Sequence, residues 1–357
     1  MKILTLVGTR PALIRLSRII PALDNAFENI FVYSDQNYDV RLRDIFFQDL
    51  DIRTPNYSLG AIGDFGTQIG KIFSQIAEII TKEKPDKALI LGDTNTTLAA
   101  IVCERMGVPV YHLEAGNRCF DKIPEEINRK VVDHSSTINL PYTARSRDNL
   151  IKEGFDLKKI FVSGNPIAEV INYYWYKVLQ SNICHTLAVT PTRYCLATLH
   201  RSENVDNPDR LSAILEAYNR IADEGETIIV STHPRLKSKL KAVKTLLSGL
   251  VVFCPPFNFF DFINLENNCK CLFTDSGTAQ EEAAILRIPC VVTRRATERP
   301  EIVECGASLL GGVETDSIYN TYKQSLKLNR DWKLPKEYTD LNVSNKIVAY
   351  LSGGINV

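Results

Sequence analysis

KILTLVGTRPALIRLSRIIPALD (residues 2–24) sets a short apolar run against a tight glycine-bearing turn, followed by a longer stretch with helical spacing. The same succession returns in KALILGD (87–93), which leads into TTLAAIVCERMG (96–107), and again at PVYHLEAG (109–116). Strand, tight loop and helix in alternation argue for βαβ units and a parallel sheet. The pattern resumes after residue 190 with YCLATLHR, TIIVSTH, VVFCPP, CLFTDSG and PCVVTR, each followed by a helical or turn segment. A second α/β sheet is therefore expected, each sheet forming a Rossmann-like domain. Between them, FVSGNPIAEVINYYW closes the first set of strands, and QSNICHTLAVTPTR is polar, contains a proline and lacks clear periodicity. The hinge is placed near residues 166–190. The expected domains are 1–170 and 171–339, with the C-terminal segment 340–357 packing back on the first. No fixed-period repeat and no low-complexity tract occurs.

The 357 residues are 45% hydrophobic and 24% charged, an ordinary globular composition long enough for two cores. Lysine plus arginine number 42 and the acids 42, so no global field draws the chain to nucleic acid or to an anionic membrane. An anionic ligand must be captured locally. Nine cysteines without a CxxC pair, several inside apolar runs, read as buried reduced thiols of a cytosolic protein rather than a disulfide framework or a zinc site. The N-terminal apolar run of about six residues is too short for a signal segment. No stretch approaches the roughly 18 apolar residues of a membrane span. A cytoplasmic location is expected.

Ligands of open parallel sheets bind beyond the carboxyl ends of the strands, so the polar residues that follow strands are the place to look. After the first strand, Gly8 permits a close backbone approach, Pro11 starts a helix, and Arg10 and Arg15 are suited to an anion. A tight turn with a solvated arginine explains the same residues. Neither a GxGxxG nor a Walker A loop is present. In the second half, Ser276, Gly277 and Thr278 fall at a helix N-terminus and offer amides and hydroxyls to a phosphate; an ordinary N-cap is the alternative. Glu281 and Glu282 follow one turn later, suited to sugar hydroxyls or simply to a solvated face. A diphosphate gripped from both domains would account for these features together. Acid and base chemistry has its candidates in Asp93 (LGDTNTT), Glu114 (HLEAGNR) and Glu125 (IPEEINR), with His200 and Arg201 (ATLHRSEN) and His233 (VSTHPR) after strands of the second half. Any one of them alone also reads as a cap or an ion-pair partner.

VGTRPxxIRLS, LGDTNTTLA, HLEAGNR, PEEINR, SGNP, LHRSENVD, TDSGTAQEEA and RxxTERPE occur in this order over about residues 3–312. In these stretches the chain resembles the non-hydrolysing UDP-N-acetylglucosamine 2-epimerase family. The resemblance implies the GT-B architecture, two Rossmann-like domains with parallel sheets facing across a cleft that holds a UDP-sugar. It implies inversion at C2 through elimination of UDP to a 2-acetamidoglycal, protonation of the opposite face, and re-addition of UDP. By motif, Asp93, Glu114 and Glu125 match the family's catalytic acids and His200 the histidine near the diphosphate. Arg10, Arg15, Ser276 and Gly277 fit stabilisation of the departing diphosphate. Arg129, His233 and Glu282 match positions around the substrate, Glu282 at the ribose. The division of base from acid among the three carboxylates stays open. The resemblance calls for no cofactor and no metal, and its precedent is a homodimer.

Two departures from the family pattern stand out. Ala12 replaces the glutamate that usually follows GTRP, which removes an acid from the first helix. EAGNRCFD and TDSGT stand where commoner members read roughly EAGLRTGD and TDSGG, and look like the branch that forms UDP-N-acetyl-L-fucosamine from 6-deoxy sugars. A hydrolysing 2-epimerase is the near alternative. A GT-B glycosyltransferase or an inactive nucleotide-sugar sensor has no reason to keep all three acids in order.

Overall fold

The computed structural model describes residues 1–36, 47–119, 123–241, 243 and 246–353. Phe120 and Asp121 of EAGNRCFD, and residues 354–357 of the C-terminal segment, lie outside the described residues.

The chain forms two compact units, Met1–Asn172 with Lys336–Val357, and Tyr173–Pro335. In the first unit the strands are β1 (Lys2–Val7), β2 (Glu28–Tyr33), β3 (Tyr57–Ser58), β4 (Lys87–Leu91), β5 (Val110–Leu113) and β6 (Ile138–Leu140). They make one sheet in the order β3-β2-β1-β4-β5-β6, parallel throughout. In the second unit β7 (Tyr194–Leu199), β8 (Thr227–Thr232), β9 (Val251–Cys254), β10 (Leu272–Thr274), β11 (Cys290–Val292) and β12 (Ser308–Leu310) form another. Its order is β12-β11-β10-β7-β8-β9, again all parallel. Counted from its own first strand, the second sheet repeats the doubly wound order of the first.

Helices cover both faces of such sheets, so the central strands are buried almost end to end: five of the six residues of β1 and of β7 are buried. The covering helices bury a stripe at helical spacing. In Phe65–Glu83 it is Ile72, Ile76, Ile79 and Ile80, with Asp64 capping the N-terminus by accepting from the Thr67 amide at 2.8 Å. These isoleucines close on Leu4, Leu6, Ile30, Val32, Ala88 and Ile90 of the sheet. In the second unit, helix Pro208–Ala222 brings Leu211, Ile214, Leu215, Tyr218 and Ile221 against Cys195, Ala197, Ile228, Val230 and Phe273.

The segment read from sequence as a hinge contains a 13-residue helix, Ile167–Leu179, and the boundary between the units falls inside it. Ile167, Ala168, Val170, Ile171, Tyr174 and Val178 are its buried residues, a helical spacing that the neighbouring Asn-Pro and the clustered aromatics obscure. Helix Val343–Ser352 belongs to the first unit and packs on helix Ile19–Ala26. Lys87 Nζ donates to the Leu351 carbonyl at 2.6 Å, and the Ser344 amide donates to Glu169 Oε2 at 2.9 Å.

In a sheet of this order the connections leave in opposite directions from two adjacent strands, and the loops after those strands splay apart to leave room for a ligand. The adjacent pair is β1 and β4 in one unit and β7 and β10 in the other. The loops GTRP, GDT, LHR and TDSG follow those four strands.

Candidate active site

In the first unit the chain leaves β1 through Gly8. A Cβ there would lie 2.0 Å from Thr96 Oγ1 and 2.8 Å from Ser34 Oγ, so no larger residue fits against this hydroxyl pair, whose oxygens are 2.6 Å apart. Thr9 enters helix Arg10–Leu16, with Pro11 in its first turn. Arg10 is half-buried and Ala12 is buried. The site that carries an acid in the commoner pattern is thus an enclosed apolar one here. Arg15 points inward: it is 4% exposed, stacks 5.5 Å from the centre of the Tyr142 ring, and its Nη1 meets Glu114 Oε2 at 2.5 Å.

Two acids stand beyond β4 and β5, each held by a buried guanidinium. Asp93 Oδ2 takes Arg129 Nη2 at 2.6 Å and Nε at 2.8 Å, and Arg129 also reaches Glu126 Oε2 at 3.0 Å. Asn128 Nδ2 donates to the Asp93 carbonyl at 2.9 Å. Helix Pro124–Ser135, which PEEINR opens, therefore delivers both side chains that fix Asp93. Glu114 has φ of 71°, a left-handed backbone that a non-glycine residue occupies at a cost of about 1–3 kcal/mol. Arg15 and Asn117, whose Nδ2 is 3.3 Å from Glu114 Oε1, hold its side chain. Glu125 lies half-buried in the first turn of the same helix as Arg129.

In the second unit the centre is Asp275, fully buried at the end of β10. Its carboxylate accepts the His200 amide at 3.1 Å, the Arg201 amide at 3.0 Å and Asn204 Nδ2 at 3.2 Å, with His200 Nδ1 at 3.1 Å. Burial pushes this carboxyl up, but His200, the amides and Arg201 outweigh it and leave it below the usual range. The aspartate is the post around which LHRSEN is wound. His200 keeps about a third of its side chain exposed, and its ring centre is 6.2 Å from that of His233. His233 caps helix Pro234–Leu240, its Nδ1 accepting the Arg235 amide at 3.2 Å.

Ser276 is the N-cap of helix Gly277–Leu286, its Oγ accepting the Ala279 amide at 3.4 Å. Both glutamates that follow are buried, at 0% and 4% exposure, so the helix face is not the solvated one their charge alone would suggest. Glu281 is paired with Arg299 Nε of TERPE, and neighbouring Glu298 takes Arg294 Nη1 at 2.6 Å and Arg201 Nη2 at 3.1 Å.

The first unit thus gathers Arg15, Asp93, Glu114 and Arg129 into paired charges behind strand ends. The second places His200, His233 and Ser276 on the loops after β7, β8 and β10, and Gly277 and Glu282 in the first turns of the helix that follows β10. Residue typing missed several holders: Glu126, Asn117, Tyr142 and Arg299, the last of which pairs with the already noted Glu281. Arg299, Asn117 and Glu126 lay within motifs already quoted, whereas Tyr142 becomes visible only when elements distant in sequence pack together. Among the described residues no group of three or more histidine, cysteine, aspartate or glutamate side chains is placed to hold a metal ion, and no helix is long and apolar enough to cross a membrane.

The family model for UDP-N-acetylglucosamine 2-epimerase matches residues 22–352. A UDP-N-acetylglucosamine 2-epimerase of Methanocaldococcus jannaschii is 39% identical over 350 residues, 94% of this chain and 95% of that protein. A UDP-2,3-diacetamido-2,3-dideoxy-D-glucuronate 2-epimerase of Pseudomonas aeruginosa is 35% identical over 99% of both chains. The crystal structure of the Methanocaldococcus jannaschii UDP-GlcNAc 2-epimerase in complex with UDP-GlcNAc and UDP superposes with a TM-score of 0.93 at 37% identity, covering 99% of this chain and 100% of that one. Two Rossmann-like parallel sheets of GT-B type, and a match across nearly the whole length, make this chain a member of the UDP-N-acetylglucosamine 2-epimerase family, enzymes that epimerise carbohydrates.

Proposed function

We propose that the protein is a non-hydrolysing 2-epimerase acting on a UDP-2-acetamido sugar. The observation that carries the reading is the pair of acids beyond β4 and β5, Asp93 and Glu114, each fixed by a buried arginine. In the proposed reaction a carboxylate among Asp93, Glu114 and Glu125 removes the C2 proton while the C1–O bond breaks and its electron pair leaves with UDP. The 2-acetamidoglycal is then protonated at C2 from the opposite face, and UDP adds back to C1. The C2 hydrogen is weakly acidic, so bond breaking at C1 runs ahead and the departing diphosphate must be stabilised by cations and helix N-termini. Arg10, His200, His233, Ser276 and Gly277 are assigned to that diphosphate, Arg129 to placing Asp93, and Glu282 to the ribose. The pairing of Arg15 with Glu114 favours a part for Arg15 in holding the acid as well as in meeting negative charge.

UDP-GlcNAc and UDP-ManNAc are the proposed pair. A 6-deoxy substrate leading to UDP-N-acetyl-L-fucosamine is the second reading, favoured by Asn117, which in this chain bonds the acid Glu114, and by Thr278 in TDSGT. Nine free cysteines, seven of them buried, support a reducing cytoplasmic setting; burial pushes the Cys103 and Cys271 thiols up to about 12. A homodimer is inferred from the family precedent.

The test is incubation with UDP-GlcNAc, and separately with the 6-deoxy-L-talose analogue, in deuterated water, followed by NMR. Deuterium is expected at C2 with the UDP linkage retained. Release of free sugar would establish hydrolysis instead, and product without solvent deuterium would sink the proton-exchange scheme.

A further inference from the structure

His112, on β5, is 1% exposed, and neither of its ring nitrogens faces solvent. Nδ1 is 2.8 Å from Asp133 Oδ1, and Nε2 is 2.8 Å from the Gly92 carbonyl oxygen. A carbonyl oxygen only accepts. Asp133 behaves as a carboxylate: its Oδ2 takes the Gly116 amide at 3.1 Å and Arg118 Nη1 at 2.8 Å. Burial pushes the Asp133 carboxyl up, yet His112 and Arg118 outweigh it and hold it below the usual range. A neutral imidazole carries one N–H and one lone pair, so it would set a lone pair against an acceptor inside the fold.

We propose that His112 is a positioning residue, an imidazolium with both ring nitrogens protonated, which ties the loop of Asp93 to the loop of Glu114. The inference rests on the reading of those two residues as the reacting acids. One N–H holds the Gly92 carbonyl, directly before Asp93. The other holds Asp133, which in turn grips the Gly116 amide in the turn after Glu114. Charges of both signs lie around the ring. His112 and Arg118 are positive, while Asp133 and Glu153, whose Oε2 is 2.5 Å from Arg118 Nη2, are negative. Glu153 also feels His134, and Glu114, two residues along the chain from His112, carries its own counter-ion in Arg15. Glu153 keeps about a third of its side chain exposed, so the buried charges nearest the ring are those of Asp133 and Arg118.

Nitrogen-15 NMR of the histidine-labelled full chain at pH 7.5 reads the ring directly. One of the five histidines is expected to show two ring N–H groups in slow exchange, and His112→Gln is expected to delete that signal. If H112Q does not fold, slow exchange identifies the buried ring in the wild-type protein. Asp133→Asn is expected to remove the second ring proton. A single ring N–H at His112 overturns the proposal. In H112Q, kcat for C2 exchange is expected to fall about 10²-fold, as for a small misplacement of reacting groups, with the dissociation constant for UDP unchanged. Unaltered kcat, or an equal loss of UDP affinity, overturns the positioning role. The ring-proton measurement needs no turnover, so an inactive wild-type protein would sink the proposed function while leaving the protonation result to stand or fall separately.

Discussion

Each unit holds a buried aspartate beside a histidine, and the two pairs are put to different use. In the first, Asp133 and the Gly92 carbonyl engage both nitrogens of His112, and the ring is sealed in. In the second, Asp275 takes only Nδ1 of His200, and among the described residues its Nε2 meets no hydrogen-bond partner. A ring satisfied on both sides can only hold neighbours in place. A ring anchored on one side and partly open on the other keeps its second nitrogen accessible to a ligand. The same pair of residue types is thus enclosed in one unit and partly open in the other, matching the proposed roles of scaffold behind the acids and of a group presented to the nucleotide.

The contrast predicts that damage to the two units will separate chemistry from binding. The largest expected effect is that of Asp93→Asn, which should lower kcat for C2 exchange about 10³-fold, the scale of a lost acid–base group, while leaving UDP affinity intact by calorimetry. Equal losses in both would erase the division. Next, Asp275→Asn turns a carboxylate that meets backbone N–H donors into an amide with donors of its own. A loss of about 3 kcal/mol in denaturant unfolding is expected, accompanied by weaker UDP binding. Glu282→Gln should raise the dissociation constant for UDP about tenfold, or about 1.4 kcal/mol, with less effect on turnover at saturation. An effect confined to kcat would move Glu282 from the nucleotide to the sugar.

The smallest effect concerns acid. Asp133 and Asp275 are both held below the ordinary carboxylate range in the folded chain. A depressed carboxyl contributes stability that is present above its unfolded pKa, near 3.9, and is lost as pH falls through the folded value. Melting temperature should thus drop as pH falls below about 4. Asp275→Asn should flatten that drop. An unchanged slope would mean that Asp133 and other carboxylates dominate it.

The alternation of apolar runs with helical segments showed both sheets, because parallel strands buried on two faces leave dense, short apolar words such as KALIL and YCLATL. Tyr57–Ser58, a two-residue edge strand, carries no period that could announce it. Helix Ile167–Leu179 was hidden for the opposite reason, since its buried stripe lies among exposed aromatics, with Tyr176 at 71%. At the site, residue types that do chemistry stood out after strands, as Asp93, Glu114 and His200 did. Their pairings did not, because Arg15 lies 99 positions from Glu114 and Asn204 lies 71 from Asp275. Only the sheet order brings such residues together.

The second unit is one uninterrupted stretch, 173–335, whereas the first needs residues 336 onward to complete it. Chains grow from the N-terminus, so the whole of the second unit is synthesised before the first gains helix Val343–Ser352. A truncation ahead of Val343, far in sequence from every proposed acid, would accordingly leave the later-made unit whole and the earlier-made one unfinished.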